Sequence, residues 1–313
     1  MKIINWGISD KKLNINSSVA VIGNFDGVHL GHAHVLKQAK KYSRKLHLPL
    51  TILTFEPHPR EFFSKNKQFF KLQNSIEKSK TLKEHGVDCL ITLKFDHLLS
   101  ALSPEEFIKE ILCDNLSIKH VFVGKDFKFG RNRKGSIETL KKIGKIYKLN
   151  VSDIEIKNKN GLAISSTKIR EYLKAGNIEV ANRLLGRPYM ISNLVIEGDK
   201  RGRKINFPTA NIKLNDLIRP AFGVYAVKVS GIGIKSYNGI ANIGKRPTVN
   251  DRGELLEVNI FDFDGDLYGK EIKVSLLKFI REEQKFDGVG SLKEQIIKDV
   301  YKAKNILKSY SEL

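Results

Sequence analysis

The chain has no apolar run approaching the roughly 18 residues that a membrane span requires. Its first ten residues, Met1 to Asp10, hold no apolar core of a secretory leader. Both absences predict a cytoplasmic protein with no membrane partner. Cysteine is nearly missing. Cys89 and Cys113 are the two present, neither in a paired motif with metal-ligand spacing, so a thiolate metal site is excluded. Each lies in an apolar stretch, which predicts buried, reduced thiols. No internal repeat and no low-complexity linker interrupts the chain. Acidic residues are in deficit, 34 against 55 Lys and Arg, for a formal net charge of +21. That balance suits a nucleic-acid partner or anionic small substrates. The lysines, however, are scattered, as in Lys37 to Lys45, Lys65 to Lys83 and Lys298 to Lys308. A lysine-rich habit accounts for them, and no nucleic-acid partner is expected.

What is present reads as two domains, since 313 residues exceed one ordinary core. In the first half, apolar runs at Val19–Ile22, Leu50–Phe55, Cys89–Leu93 and Val121–Val123 alternate with helical patterns at Gly31–Leu46, Ile76–His85 and Pro104–Leu112. This alternation predicts an α/β domain with a parallel sheet covered on both faces, binding its ligand at the carboxyl ends of the strands. From Pro188 onward come short alternating runs, Leu194–Glu197, Gly223–Val229, Tyr237–Ile243, Leu255–Phe261 and Ile272–Ile280. They predict an antiparallel sheet or small barrel, closed by a helix at Leu292–Lys308. The boundary is expected near Leu185 to Pro188, giving domains 1–185 and 186–313.

Gly23-Asn24-Phe25-Asp26-Gly27-Val28-His29-Leu30-Gly31-His32 follows a strand and opens a helix. A helix N-terminus offers free N–H groups and a positive dipole end to an anion. Gly23, Gly27 and Gly31 permit close backbone approach. His29 and His32 can both address one phosphate and offset charge that grows during phosphoryl or nucleotidyl transfer. A tight turn with incidental histidines is the blander alternative. A second element, Ser165-Ser166-Thr167-Lys168-Ile169-Arg170, leads into a helical pattern. There Ser166 or Thr167 either caps the helix or, with Arg170, holds phosphates. In the second half, Pro208 fixes the backbone before Thr209 and Asn211, hard-oxygen ligands suited to Mg²⁺ beside nucleotide phosphates. On a strand these two would share a face. A loop-to-strand turn is the alternative.

The His-x-Gly-His loop with the distal Ser-Ser-Thr-x-x-Arg element resembles the nucleotidyltransferase superfamily. Thr54-Phe55-Glu56-Pro57-His58-Pro59-Arg60 and Val123-Gly124-Lys125-Asp126-Phe127-Lys128-Phe129-Gly130 narrow the likeness to its flavin adenylyltransferase branch, with Lys125 standing where an acidic residue is expected. Gly202-Arg203-Lys204-Ile205-Asn206-Phe207-Pro208-Thr209-Ala210-Asn211 resembles the riboflavin kinase signature. So do Gly223-Val224-Tyr225, Asn242-Ile243-Gly244-Lys245-Arg246-Pro247-Thr248, Leu256-Glu257-Val258-Asn259 and the run from Phe279 to Phe286. Asn193 and Asn206 stand where glycine is expected, and Asn tolerates left-handed backbone.

The chain thus resembles, over almost its whole length, the bifunctional riboflavin kinase/FAD synthetase family. The resemblance implies a Rossmann-like nucleotidyltransferase domain followed by a mainly antiparallel β-barrel kinase domain with a terminal helix. It implies ATP-dependent conversion of riboflavin to FMN with release of ADP, then of FMN to FAD with release of pyrophosphate, with Mg²⁺. By the same resemblance Glu257 is the kinase base, and His29, His32 and Arg170 act in adenylyl transfer. ATP would meet Gly23, Asn24, Phe25, Asp26, Gly27, His29, Gly31, His32, Ser166, Thr167 and Arg170 in one site, and Gly202, Pro208, Thr209 and Asn211 in the other. Flavin would meet Pro57, His58, Asp126, Phe127 and Arg281; Thr209 and Asn211 would ligate the metal. Glu254 lies close by, but only Glu257 has the matching neighbours. Two rivals stand beside this reading: another adenylyl-transferring enzyme, such as an aminoacyl-tRNA synthetase, and a nucleic-acid-binding module without catalysis. The oligomeric state stays open.

Overall fold

The computed structural model describes residues 1–310 except 12, 14, 65–69, 155–163, 199–201, 203–204 and 246–253. The expected matches at Arg203, Lys204, Arg246, Pro247 and Thr248 lie outside the described residues. The chain divides into two compact units, one of Met1–Gln68 with Ser75–Ile164, the other of Phe69–Asn74 with Ser165–Leu313.

The first unit is built on β1 (Lys2–Trp6), β2 (Ser18–Ile22), β3 (Leu50–Glu56), β4 (Cys89–Lys94), β5 (Ile118–Gly124) and β6 (Asn150–Ile154). They form one parallel sheet in the order β1-β4-β3-β2-β5-β6. The helices are α1 (Leu30–Lys45), α2 (Pro59–Phe62), α3 (Ser75–Glu84), α4 (His97–Ala101), α5 (Pro104–Glu106), which runs into a π-helix (Phe107–Asn115), and α6 (Ile137–Ile146). Strand β2 is buried throughout, as the centre of a parallel sheet must be. Its residues alternate between two cores. Ala20 and Ile22 pack in a cluster with Ile108 and Ile111 of the π-helix, while Val19 and Val21 pack in one with Val35 and Leu36 of α1. The two edge strands, β1 and β6, are not expected from the sequence, where neither forms a continuous apolar run. Cys89 and Cys113 are free and half-buried rather than fully buried; burial still pushes the Cys113 thiol up to about 11.

From β2 the chain steps to β3 on one side, while β5 lies on the other. The strand order therefore reverses between β2 and β5, and the loops leaving their carboxyl ends flank the crevice where such sheets bind ligands.

The second unit contains α7 (Ser166–Lys174), α8 (Ile178–Leu185), β7 (Tyr189–Ile196), β8 (Ala210–Lys213), β9 (Gly223–Ile232), β10 (Lys235–Lys245), β11 (Glu254–Ile260), β12 (Glu271–Glu282) and α9 (Val289–Ser309). The strands close an antiparallel barrel in the order β10-β11-β8-β7-β12-β9. Alternation along β9 sorts its side chains: Tyr225, Val227 and Val229 are fully buried, while Val224 and Ala226 pack with Ala303 and Leu307 of α9. Ser165–Leu185 packs with this barrel unit, although the sequence boundary was expected at its far end. The reason is contact: Asn182 donates to the Leu276 carbonyl (2.9 Å) and accepts from the Tyr189 N–H (2.7 Å).

Candidate functional site

In the first unit the residues from Gly23 to His32 connect β2 to α1. Phe25, Gly27 and Val28 have φ of 49°, 86° and 36°, so the chain turns through left-handed backbone three times in four residues. For β-branched Val28 this is a strained conformation, of the kind that clusters at ligand sites. Of the three glycines, Gly27 alone needs its positive φ; Gly31 lies inside the first turn of α1. The loop is held from outside. The Asn24 carbonyl accepts from Thr54 Oγ1 (3.2 Å), the first residue of the Thr54–Arg60 match, and from Lys78 Nζ (3.5 Å), which the sequence does not single out.

His29 is the N-cap of α1. Its Nδ1 accepts from the His32 N–H at 3.3 Å, so Nδ1 is unprotonated and a ring proton sits on Nε2. The His29 and His32 rings stack at 3.7 Å and 15°, and Phe25 lies 4.9 Å from His32. The two histidines are thus one preorganised pair at a helix N-terminus, buried and half-buried respectively. An imidazole N–H beside backbone donors suits an anion whose charge increases during reaction.

Pro57 and His58 leave the end of β3, next to β2 in the sheet, and Asp126 and Phe127 leave the end of β5 on the other side. His58 caps α2, its Nδ1 accepting from Arg60 N–H at 3.0 Å. Phe127 stacks on Phe129 at 5.3 Å and 15°, while Asp126 and Lys125 are exposed. Three loops from three adjacent strands therefore surround the crevice.

Ser166, Thr167 and Arg170 lie on α7, in the second unit. The helix cap is Ser165, whose Oγ accepts from Lys168 N–H at 3.2 Å, so the capping alternative holds for neither Ser166 nor Thr167. Ser165 alone has the extended backbone of a cap (φ −148°, ψ 153°). Arg170 Nε donates to the Phe70 carbonyl at 2.7 Å, and its guanidinium lies over the Phe70 ring.

The barrel carries the second set. Cross-strand register aligns Val224 with Asn242, Asn242 with Glu257, Glu257 with Asn211 and Asn211 with Ile196. Directly opposed residues share a face, so Asn242, Glu257 and Asn211 form one polar row across three strands, on the face opposite the buried Leu256 and Val258. Asn211 is 4% exposed, and its Oδ1 has no hydrogen-bond partner among the described residues. Its Nδ2 donates weakly to the Thr209 carbonyl at 3.4 Å. A buried amide oxygen without a donor is costly unless something fills its lone pairs, and with the Thr209 hydroxyl and the Glu257 carboxylate this donor set fits a small hard cation. β8 begins at Ala210, so Thr209 precedes the strand on which it and Asn211 would share a face, and the loop-to-strand turn is what the fold has.

One glycine presses on this row and another on the turn before it. A Cβ on Gly198 would lie 2.3 Å from Asn211 Nδ2, and one on Gly202 would lie 2.2 Å from the Phe207 carbonyl oxygen. Gly198, Asn242 and Asn259 are not flagged as site residues by the sequence; register brings in Asn242, a close approach to Asn211 brings in Gly198, and a hydrogen bond to the Pro208 carbonyl brings in Asn259. Beside Pro208 and Thr209 opens a cavity of about 820 Å³, also lined by Ile260, Phe263, Leu267 and Tyr268, a size that takes a nucleotide. Arg281 is committed within the fold: Nε and a terminal nitrogen bind buried Asp299 at 2.8 and 2.7 Å. Glu254 pairs with Arg219 at 2.5 Å.

Fold and sites together define a two-site nucleotide-dependent transferase. The family model described as FAD synthetase matches residues 11–168, and that described as riboflavin kinase matches residues 185–307. The bifunctional riboflavin kinase/FMN adenylyltransferase of Buchnera aphidicola subsp. Schizaphis graminum is 43% identical over 100% of both chains. The protein so named from Escherichia coli strain K12 is 43% identical over 90% of each. This chain belongs to the family of bifunctional riboflavin kinase/FMN adenylyltransferases. A crystal structure titled macrolide-efflux protein, from Streptococcus pneumoniae, superposes with TM-score 0.84 at 34% identity, covering 96% of this chain and 99% of that one. Its title names a different activity; both family models and the curated relatives agree on flavin chemistry. No helix among the described residues is long and apolar enough to cross a membrane.

Proposed function

We propose that residues 186–313 phosphorylate riboflavin at the barrel row and residues 1–185 adenylylate FMN at the β2–α1 loop. The observation that carries the kinase assignment is the row itself, with Glu257 between Asn242 and the orphaned Asn211 oxygen. Glu257 accepts the proton of the riboflavin 5′-hydroxyl as that oxygen attacks the γ-phosphorus of ATP and ADP leaves. Thr209 and Asn211 would hold Mg²⁺, which when bound offsets charge on the phosphate oxygens. The cavity beside Thr209 takes ATP, and Gly202 gives the backbone room to approach it.

In the first unit the FMN phosphate attacks the α-phosphorus of ATP and expels pyrophosphate. The chain forms no covalent intermediate; it positions the reactants and stabilises charge. The backbone donors of the Gly23–His29 turn, with Asn24, Phe25, Asp26 and Gly31 around them, receive phosphate, and His29 and His32 offset the growing charge. Pro57, His58, Asp126 and Phe127 border the flavin. For Ser166, Thr167 and Arg170 the family resemblance alone carries a phosphate-binding role. Arg281, held by Asp299, shapes the flavin end of the kinase site from behind rather than by free rotation. The free thiols suit a reducing cytoplasm.

The test is to incubate the protein with riboflavin, ATP and Mg²⁺ and separate the flavins by chromatography. FMN followed by FAD is expected. FMN alone would remove the adenylyl-transfer assignment, and no FMN would remove the kinase assignment.

A further inference from the structure

Asn259 sits two residues beyond Glu257 on β11, and so on the same face of the barrel. Asparagine is a poor strand former, yet this one makes a specific contact. Its Nδ2 donates to the Pro208 carbonyl at 2.7 Å, across 51 residues of chain. The Pro208 carbonyl and the Thr209 N–H belong to one rigid peptide plane. Holding that oxygen therefore sets the backbone from which Thr209 starts. The Thr209 carbonyl in turn accepts from Asn211 Nδ2 at 3.4 Å, which leaves Asn211 Oδ1 as the atom without a partner. The links run in series: Asn259, the 208–209 peptide, the Thr209 carbonyl, the Asn211 amide.

We infer that Asn259 is a positioning residue for the metal–nucleotide site. It clamps the Pro208–Asn211 turn to the strand that bears Glu257, and so sets the distance between the cation donors and the base. Thr209 lies before the regular part of β8, where the strand ladder cannot fix it, and the clamp supplies that constraint. The inference rests on the kinase reading of the barrel row.

The test uses the full chain with ADP and FMN present and Mn²⁺ as the probe, followed by the loss of its free paramagnetic signal. The Asn211→Ala protein defines the binding that belongs to any other site. Asn259→Ala, and Asn259→Asp, which keeps the shape but loses the N–H donor, should weaken the Asn211-dependent Mn²⁺ site about five- to tenfold, the effect of one hydrogen bond. Asn259→Gln keeps a donor and should stay within about twofold of the parent. The kinase should then need more Mg²⁺ in the Ala and Asp variants at unchanged kcat, a split that a general loss of folding would not produce. Unchanged Mn²⁺ affinity in both variants, or an equal loss in Asn259→Gln, overturns the clamp while the effect of Asn211→Ala leaves the kinase reading standing. If Asn211→Ala changes neither Mn²⁺ binding nor FMN formation, the site reading falls and the clamp with it.

Discussion

The β2–α1 loop and the barrel row solve the same problem, holding phosphates while charge moves, by different means. The loop concentrates its groups in ten consecutive residues. Its key contact spans three positions, His29 to the His32 N–H, and its donors are backbone N–H groups shaped by left-handed turns. The row draws Asn242, Glu257 and Asn211 from three strands, joined only by register. A loop site is a local conformation, and its failures should be local and chemical. A row site is a property of the closed barrel, so a change there acts either on chemistry alone, when the ladder is intact, or on the whole unit.

The sharpest test of that contrast is Glu257→Gln. It preserves the shape of a mid-strand side chain whose neighbours are set by the ladder, but it cannot readily take a proton. FMN formation should fall on the order of 10²–10⁴-fold, with adenylylation of added FMN unchanged. Assaying both reactions on one preparation checks it. A loss of both would show that the row is a structural feature of the fold. The matching change in the loop is His29→Ala, with His32→Ala beside it. FAD formation should fall about 10²-fold or more, the size expected for removing a preorganised charge stabiliser. FMN formation should persist. Equal loss of kinase activity in a folded variant would mean that the two sites are not separate.

Sequence patterns showed the loop far better than the row, for a physical reason. Gly23 to His32 lies between an apolar run and a helical period, so its position at a strand end could be read directly. The central strands β2 and β3 stand out because both faces are covered and most of their residues are apolar and buried. The edge strands β1 and β6 do not, since a polar exposed edge gives no such run. Three hydroxyls in a row, Ser165 to Thr167, each could cap α7, and only backbone angles pick Ser165. Glu257 was found by its neighbours, but Asn242 and Asn259 were not marked as site residues, because which residue lies opposite which depends on how six strands close.

A third prediction concerns where the comparison draws its line. A fragment beginning at Gly186 lacks α7 and α8, whose Ile169, Leu173, Ile178, Ala181 and Leu184 are buried, and it loses both Asn182 bonds. A fragment beginning at Ser165 keeps them. Burying an aliphatic side chain stabilises by about 1.5–3 kcal/mol, so the longer fragment should be several kcal/mol more stable in urea. Equal midpoints would place the working boundary at Leu185, as the sequence pattern has it.

The smallest effect is expected at Glu254, which enters β11 three residues before Glu257 and thus on the other side of the strand's alternation. Its carboxylate binds Arg219 Nε at 2.5 Å, while the same guanidinium donates to the carbonyls of Leu217 and Asn215. Glu254→Gln keeps an acceptor for Arg219 but removes the charge. The pair is only partly exposed, at 16% and 21%, so its loss should cost more than a fully exposed pair, whose worth is 0–1 kcal/mol, yet less than breaking a buried one. A destabilisation of about 1 kcal/mol follows, with Arg219 still bonded to two carbonyls. FMN formation below the unfolding range should match the parent, because among the described residues the bonds of this pair run to the Leu217 and Asn215 carbonyls and not to the polar row. A rate loss in Glu254→Gln comparable to that of Glu257→Gln, without a shift in the urea midpoint, would reassign the base and displace the row as the site of phosphoryl transfer.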